Sequence, residues 1–146
     1  MRLIPFSLEF YEDLVDMHHK FVMEVFGDKR RISPKYFFYK EVQKWIQEGH
    51  EIVLVVNDSE VAGYTMSYID DYNGLTEPVY NGEIAYVKPE YRKTRAGYLL
   101  YNNVSQRAKD LNLNIMANGR VENMVDKMIE KHFSAEKTFI TFERTK

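Results

Sequence analysis

Residues 82–101 read GEIAYVKPEYRKTRAGYLLY, and the rest of the chain is best read outward from them. Residues 83–87 alternate in character and are rich in strand formers, which predicts a strand. Lys88-Pro89-Glu90 interrupts it, because proline has no N–H to give to a ladder. From Ala96 the period changes. Gly97, Leu100, Val104, Ala108 and Leu111 fall three or four apart and share one helix face. Arg92, Lys93 and Arg95 lie between strand and helix. A helix start presents backbone N–H groups without intrahelical partners and the positive end of a dipole. Three cations beside that end make an anion site suited to phosphates.

Elements extend from this stretch in both directions. Residues 3–6 predict a short first strand, and Ser7 an N-cap for a helix running to about Phe26. Leu8, Tyr11, Leu14, Val15, His18, Phe21, Val22 and Val25 form its apolar stripe, and Gly27 ends it. Ser33-Pro34 predicts a second helix start, with Phe38, Val42, Trp45 and Ile46 as the buried face and Gly49 as the stop. Residues 51–56 and 60–69 read as a hairpin turning at Asn57-Asp58-Ser59, with Gly63 marking a bulge. A polar loop with Asn73-Gly74 leads to the strand at 79–87, a helix from about 95 to 112 and a strand at 113–117. If those two strands are parallel, the helix between them is a right-handed crossover. A helix at 121–132 and a strand at 137–143 complete the order β–α–α–β–β–β–α–β–α–β.

At 146 residues the whole chain is expected to be one domain with a sizeable core. A net charge of −2 gives no support for general nucleic-acid binding. No cysteine means no disulfide, thiolate nucleophile or cysteine metal site, so the chain can live in a reducing cytosol. His18 and His19 are adjacent, not four apart, which argues against a helical metal pair and leaves no metal expected. The start lacks the apolar run of a signal peptide, and no eighteen-residue apolar run predicts a membrane span. Eleven tyrosines and nine phenylalanines favour a core or pocket with large aromatic surfaces. Tyr36, Phe37, Phe38 and Tyr39 cluster on the second helix, where core packing is expected for two of them.

The central stretch resembles the acyl-coenzyme-A-binding motif of the GNAT superfamily of N-acetyltransferases. In that family a strand ends in Val-x-Pro-x-Tyr-Arg and a loop follows the pattern Gln/Arg-x-x-Gly-x-Gly/Ala before a helix. Here the words are Val87-Lys88-Pro89-Glu90-Tyr91-Arg92 and Arg92-Lys93-Thr94-Arg95-Ala96-Gly97. Arg95 replaces the middle glycine, where a side chain either widens the loop or contacts phosphate itself. The resemblance implies a mixed α/β fold whose central, mostly antiparallel sheet is flanked by helices. It also implies that the sheet splays open at the cofactor cleft, between the strand ending at Val87 and the strand at 113–117. An amide-rich pantetheine arm can bind such an exposed backbone edge as an added strand. The implied co-substrate is acetyl-coenzyme A, held by Tyr86, Val87, Arg92, Lys93, Thr94, Arg95, Ala96, Gly97, Tyr98 and Asn123. The two N-terminal helices would form part of the acceptor wall.

Acyl transfer from a thioester to an amine needs a deprotonated amine, donors for a developing oxyanion and a proton for the leaving thiolate. Glu83 is the one carboxylate inside the motif strand and is the expected general base. By simple alternation it would share a face with Ala85 and Val87. The backbone N–H of Tyr86 or of Val87 is the implied oxyanion donor. The family's later motif carries a tyrosine as proton donor, but here that slot falls on Ile129 or Glu130. Water, His132 or a tyrosine from elsewhere, such as Tyr98, would have to serve. The expectation is therefore a cytoplasmic N-acetyltransferase acting on a small-molecule or protein amine, with a homodimer left open. Its rivals are a weak or inactive coenzyme-A-binding or regulatory protein, and an acetyltransferase directed at an aminoacyl-tRNA or a modified base.

Overall fold

Near-continuous runs of strand formers, buried on both faces, build a hairpin at the centre of the chain. In the computed structural model, which describes residues 1–117 apart from 29, 72, 73 and 75 and only the backbone of Ala117, this hairpin pairs β2 (Glu51–Asn57) with β3 (Glu60–Asp70). Asp58 takes the left-handed conformation in the turn, φ 55°, which a short polar side chain tolerates. β1 (Arg2–Pro5) adds to the β2 side, and β4 (Val79–Val87) to the β3 side, both antiparallel. β5 (Asn114–Ala117) lies parallel to β4 at the end of the order β1-β2-β3-β4-β5. The fold is thus mixed α/β, with a mostly antiparallel open sheet. The helix at 121–132 and the strand at 137–143 lie outside the described residues.

Helices cover both faces of the sheet. α1 (Tyr11–Phe26) and α2 (Lys35–Gln47) bury Leu14, Val15, Met17, Phe38, Val42 and Trp45 against Ile52, Leu54, Tyr64, Met66, Ile84 and Tyr86. α3 (Ala96–Asp110) covers the other face, packing Ala96 and Leu100 on Val55 and Ala62, and Val104 and Ala108 on Tyr80. Of the four aromatics at the start of α2, Phe38 is buried and Tyr39 packs on the core, while Tyr36 and Phe37 stay exposed.

Several ends differ from expectation by a turn or less. Leu8 belongs to a single 3-10 turn (Leu8–Phe10) and is exposed, and the Ser7 hydroxyl donates to Glu9 rather than capping a backbone N–H. Pro34 is the N-cap of α2 instead of its first helical residue. Gly49 does stop α2 in the left-handed conformation, φ 73°.

Two bulges shape the sheet where it matters. In β3 the pairing runs Val56↔Val61 and then Val55↔Gly63, so Ala62 is the extra residue beside the expected Gly63. In β4 it runs Ser67↔Gly82 and then Met66↔Ile84, so Glu83 is the extra residue. The parallel ladder to β5 covers only Val79 to Gly82 of β4. Beyond it, residues 84–87 pair with β3 on one side and, like the bulged Glu83, with no strand on the other, among the described residues.

Candidate active site

The open part of β4 begins at the bulged Glu83. A bulge bends a strand and re-aims its side chains. Before it, Gly82 faces α3, since a Cβ there would lie 3.2 Å from Val104 Cγ1. After it, Ile84 and Tyr86 pack under α1 and α2, and Val87 joins the α3-side cluster. Glu83 itself is exposed. Burial, with the Glu83 charge, pushes the phenol of Tyr68, which packs on the α1/α2 side, up to about 12. The extra residue breaks the simple alternation that would set Glu83 on the face of Ala85 and Val87.

The same geometry separates the two expected oxyanion donors. A residue in a strand turns its N–H and C=O to the same side, and successive residues alternate. The Tyr86 carbonyl faces β3, 2.4 Å from where a Cβ on Gly63 would lie. The Lys88 N–H also goes to β3, donating to the Ala62 carbonyl at 2.9 Å. Val87 between them is turned the other way, and its carbonyl accepts from Arg92 Nε at 2.9 Å. Of the two backbone groups, that of Val87 faces the open edge, and that of Tyr86 is spent on the sheet. The Tyr86 ring is buried beside Phe21 and Tyr64, where burial raises its phenol above the ordinary value.

The loop after β4 makes a single 3-10 turn (Pro89–Tyr91) before α3. Thr94 Oγ1 donates to the Tyr91 carbonyl at 2.6 Å and accepts from the Ala96 N–H at 3.2 Å, so it closes the loop onto the helix start. Ala96 is fully buried, which leaves it a packing role. Lys93 and Arg95 are exposed. Gly97 lies in the first turn of α3, and a Cβ built on it meets nothing within 4 Å among the described residues. Crowding by a neighbouring strand is thus no reason for glycine there. Open space at a helix start is room for a ligand.

Arg92 is not an open cation. Its guanidinium sits 2.6 Å from the Glu24 carboxylate of α1 and 5.6 Å over the Tyr86 ring. The Glu24 hydrogen bond raises its already high pKa. It braces the end of β4 against α1. The sequence reading did not foresee Glu24, which stands 68 positions away with no local pattern linking the two.

A second polar group lies buried between the helices and the sheet. His18 is 2 % exposed, surrounded by Phe21, Phe38 and Trp45. Its Nδ1 lies 3.1 Å from the wholly buried Tyr64 hydroxyl. Its Nε2 lies 3.1 Å from a Glu41 oxygen, off the line of a good hydrogen bond but close enough to pair electrostatically. The His18 contact holds the Glu41 carboxyl below its ordinary value. Glu41 also lines a cleft of about 280 Å³ between the end of α1 and the start of α2, with the aromatics Phe26, Phe37 and Phe38 and two cations, Arg30 and Arg31. On α1, Glu12 accepts from Tyr39, Asp16 pairs with Lys35 and Glu24 with Arg92. Asn123 and His132 lie outside the described residues, as do Ile129 and Glu130.

A family model for the acetyltransferase (GNAT) family matches residues 10–128, which include both helices, the open strand and the basic loop. The chain belongs to the GNAT family. Solved GNAT-like structures agree on the fold. A tetramutant of the BH1408 protein from Bacillus halodurans superposes with a TM-score of 0.78 at 15% identity, over 99% of this chain and 99% of its own. An aminoglycoside 6'-N-acetyltransferase, AAC(6')-IG from Acinetobacter haemolyticus, gives 0.73 at 16% identity over 100% and 98%. AAC(6')-Iy, solved with a bisubstrate analog joining coenzyme A to acetylneamine, gives 0.74 at 15% identity over 99% and 97%. No curated protein sequence matches the chain. Among the described residues, no helix of this GNAT chain is long and apolar enough to cross a membrane.

Proposed function

We propose that this GNAT chain transfers an acetyl group from acetyl-coenzyme A to a primary amine, by direct attack within a ternary complex. The observation that carries the reading is the open edge of β4 from Glu83 to Val87, which runs straight into the basic loop and the start of α3. Unpaired strand backbone suits the amide-rich pantetheine arm. The open space at Gly97 and the exposed Lys93 and Arg95 suit its phosphates. In this reading Glu83 takes the proton from the acceptor amine, and the Val87 N–H donates to the developing oxyanion. Aminoglycoside acetyltransferases among the structural neighbours make an aminoglycoside one member of a first acceptor panel, with a polyamine, an aromatic amine and a lysine peptide.

Calorimetry with acetyl-coenzyme A tests the donor half of this reading. Binding should weaken with salt, as phosphate contacts do. Arg92→Ala should weaken it further, whereas Glu24→Gln, which frees the guanidinium, should not. Absence of binding at millimolar cofactor would sink the proposal. The second reading, a coenzyme-A-binding regulatory protein, draws on Arg95 in the glycine slot and on the capture of Arg92 by Glu24. It predicts the same binding without release of thiol in the presence of any amine in the panel.

Gly97→Val separates ligand space from folding space. Nothing among the described residues meets a Cβ there, so the melting temperature should move little. Affinity for acetyl-coenzyme A should fall at least tenfold by roughly the cost of one steric conflict. Equal affinity in the variant would show that the open space is not used.

A further inference from the structure

Arg92 closes the 3-10 turn that leads into α3, and its side chain is held at three points. Its Nε donates to the Val87 carbonyl at 2.9 Å, on the open edge of β4. Its Nη2 donates to Glu24 Oε2 at 2.6 Å, and its guanidinium lies 5.6 Å over the Tyr86 ring. Of Arg92, Lys93 and Arg95, it is the one paired with a carboxylate among the described residues. Glu24 stands in the last turn of α1, which carries no basic residue. A carboxylate there faces the negative end of the helix dipole, so the helix itself gives no reason for it. Arg92 supplies the compensating charge. The two side chains are 42% and 47% exposed, which leaves the pair open to an incoming anion. A phosphate on the same guanidinium would set a second anion beside the carboxylate, and like charges at that range repel. The two anions therefore compete for one cation.

We propose that Glu24 and the phosphates of coenzyme A exchange places on Arg92, so that the ion pair is a latch between α1 and the end of β4. Donor binding opens it, and donor release closes it. This rests on the reading of the basic loop as the phosphate site. With the latch closed, Glu24 occupies Arg92 and fastens the last turn of α1 to the loop after β4. With phosphate bound, the guanidinium gains a partner of higher charge, and Glu24 is released to solvent. The exchange is reciprocal: the factor by which the Glu24 contact weakens the cofactor is the factor by which the cofactor weakens that contact. Glu24 thus lowers the affinity for coenzyme A and returns to Arg92 as the product leaves.

Calorimetry with coenzyme A reads the competition directly. Glu24→Gln should bind about two- to fivefold more tightly than wild type, the scale of a half-exposed ion pair. Its melting temperature should barely move, for the same reason. In about 1 M salt, where charges are screened beyond about 3 Å, the two proteins should bind alike. The gain should vanish in the Arg92→Ala background, since a competitor for Arg92 has nothing left to contest. Equal or weaker affinity in Glu24→Gln, or the same gain without Arg92, overturns the inference. A second readout follows Glu24 itself by NMR. With glutamate labelled at Cδ and the Glu24 signal assigned by its loss in Glu24→Gln, saturating coenzyme A should move that signal. Pantetheine, which has the arm without the phosphates, should leave it in place. A signal that coenzyme A does not move means that Glu24 keeps Arg92, and there is no latch. No binding of coenzyme A by any of these proteins removes the phosphate-site reading and the latch together. Binding without the gain removes only the latch.

Discussion

Glu83→Gln should lower turnover by about 10²–10⁴-fold, the usual share of general base catalysis. Affinity for acetyl-coenzyme A should hardly change, because the basic loop follows the far end of β4 from Glu83. Most alkyl amines are protonated near neutral pH, as lysine is, and must lose a proton before attack. Glutamine keeps the shape and the hydrogen-bonding reach of glutamate but cannot take that proton. Raising the pH supplies neutral amine without help, so the deficit should narrow as the pH rises. Full turnover across the range would make Glu83 a structural residue of the bulge. The base would then be sought at the Glu41–His18 pair, whose carboxylate lines the cleft between the helices.

Gly63→Ala should be among the most damaging single-methyl changes in the chain. A Cβ at this position would lie 2.4 Å from the Tyr86 carbonyl oxygen and 3.1 Å from Val87 Cα. Both are backbone atoms of the central sheet, so neither can swing aside as the tip of a side chain would. The strand pair must separate, at a cost of about 2 kcal/mol or more on the scale of overpacked cores. For a chain of this length that is a fall of roughly 5–10 °C in melting temperature. Because the strain falls on Tyr86 and Val87, whatever turnover survives should be slower than stability alone would explain. Circular dichroism melts on Gly63→Ala and Gly97→Ala provide the comparison, since the second glycine has open space. Equal melting temperatures would mean that β3 and β4 are not as close at Gly63 as described.

The parts of this fold that could be read from sequence are those encoded by neighbours a few positions apart. The hairpin of β2 and β3, the helix faces at Leu14, Val15, Phe38 and Val42, and the switch of period from β4 to α3 all lie within short windows. The bulge at Glu83 was harder to see, because it is a relation between two strands. Its local trace is Gly82 inside a strand pattern, where an added side chain would press on Val104. The partners that define the site have no local trace. His18 meets Tyr64 across 46 positions, and Arg92 meets Glu24 across 68. Arg92 reads as a phosphate ligand beside a helix start, yet the folded chain also gives it a carboxylate, a carbonyl and a ring.

Acetyl transfer itself is the most direct measurement of the central claim. The chain is mixed with acetyl-coenzyme A and each panel amine in turn, with thiol release followed continuously and the amine weighed by mass spectrometry. The account predicts that at least one amine gains a single acetyl group in step with the thiol released, and that Glu83→Gln suppresses both signals together. Cofactor binding with no acetylated product from any amine, in wild type and variant alike, would contradict the account and leave a coenzyme-A-binding protein without transferase activity.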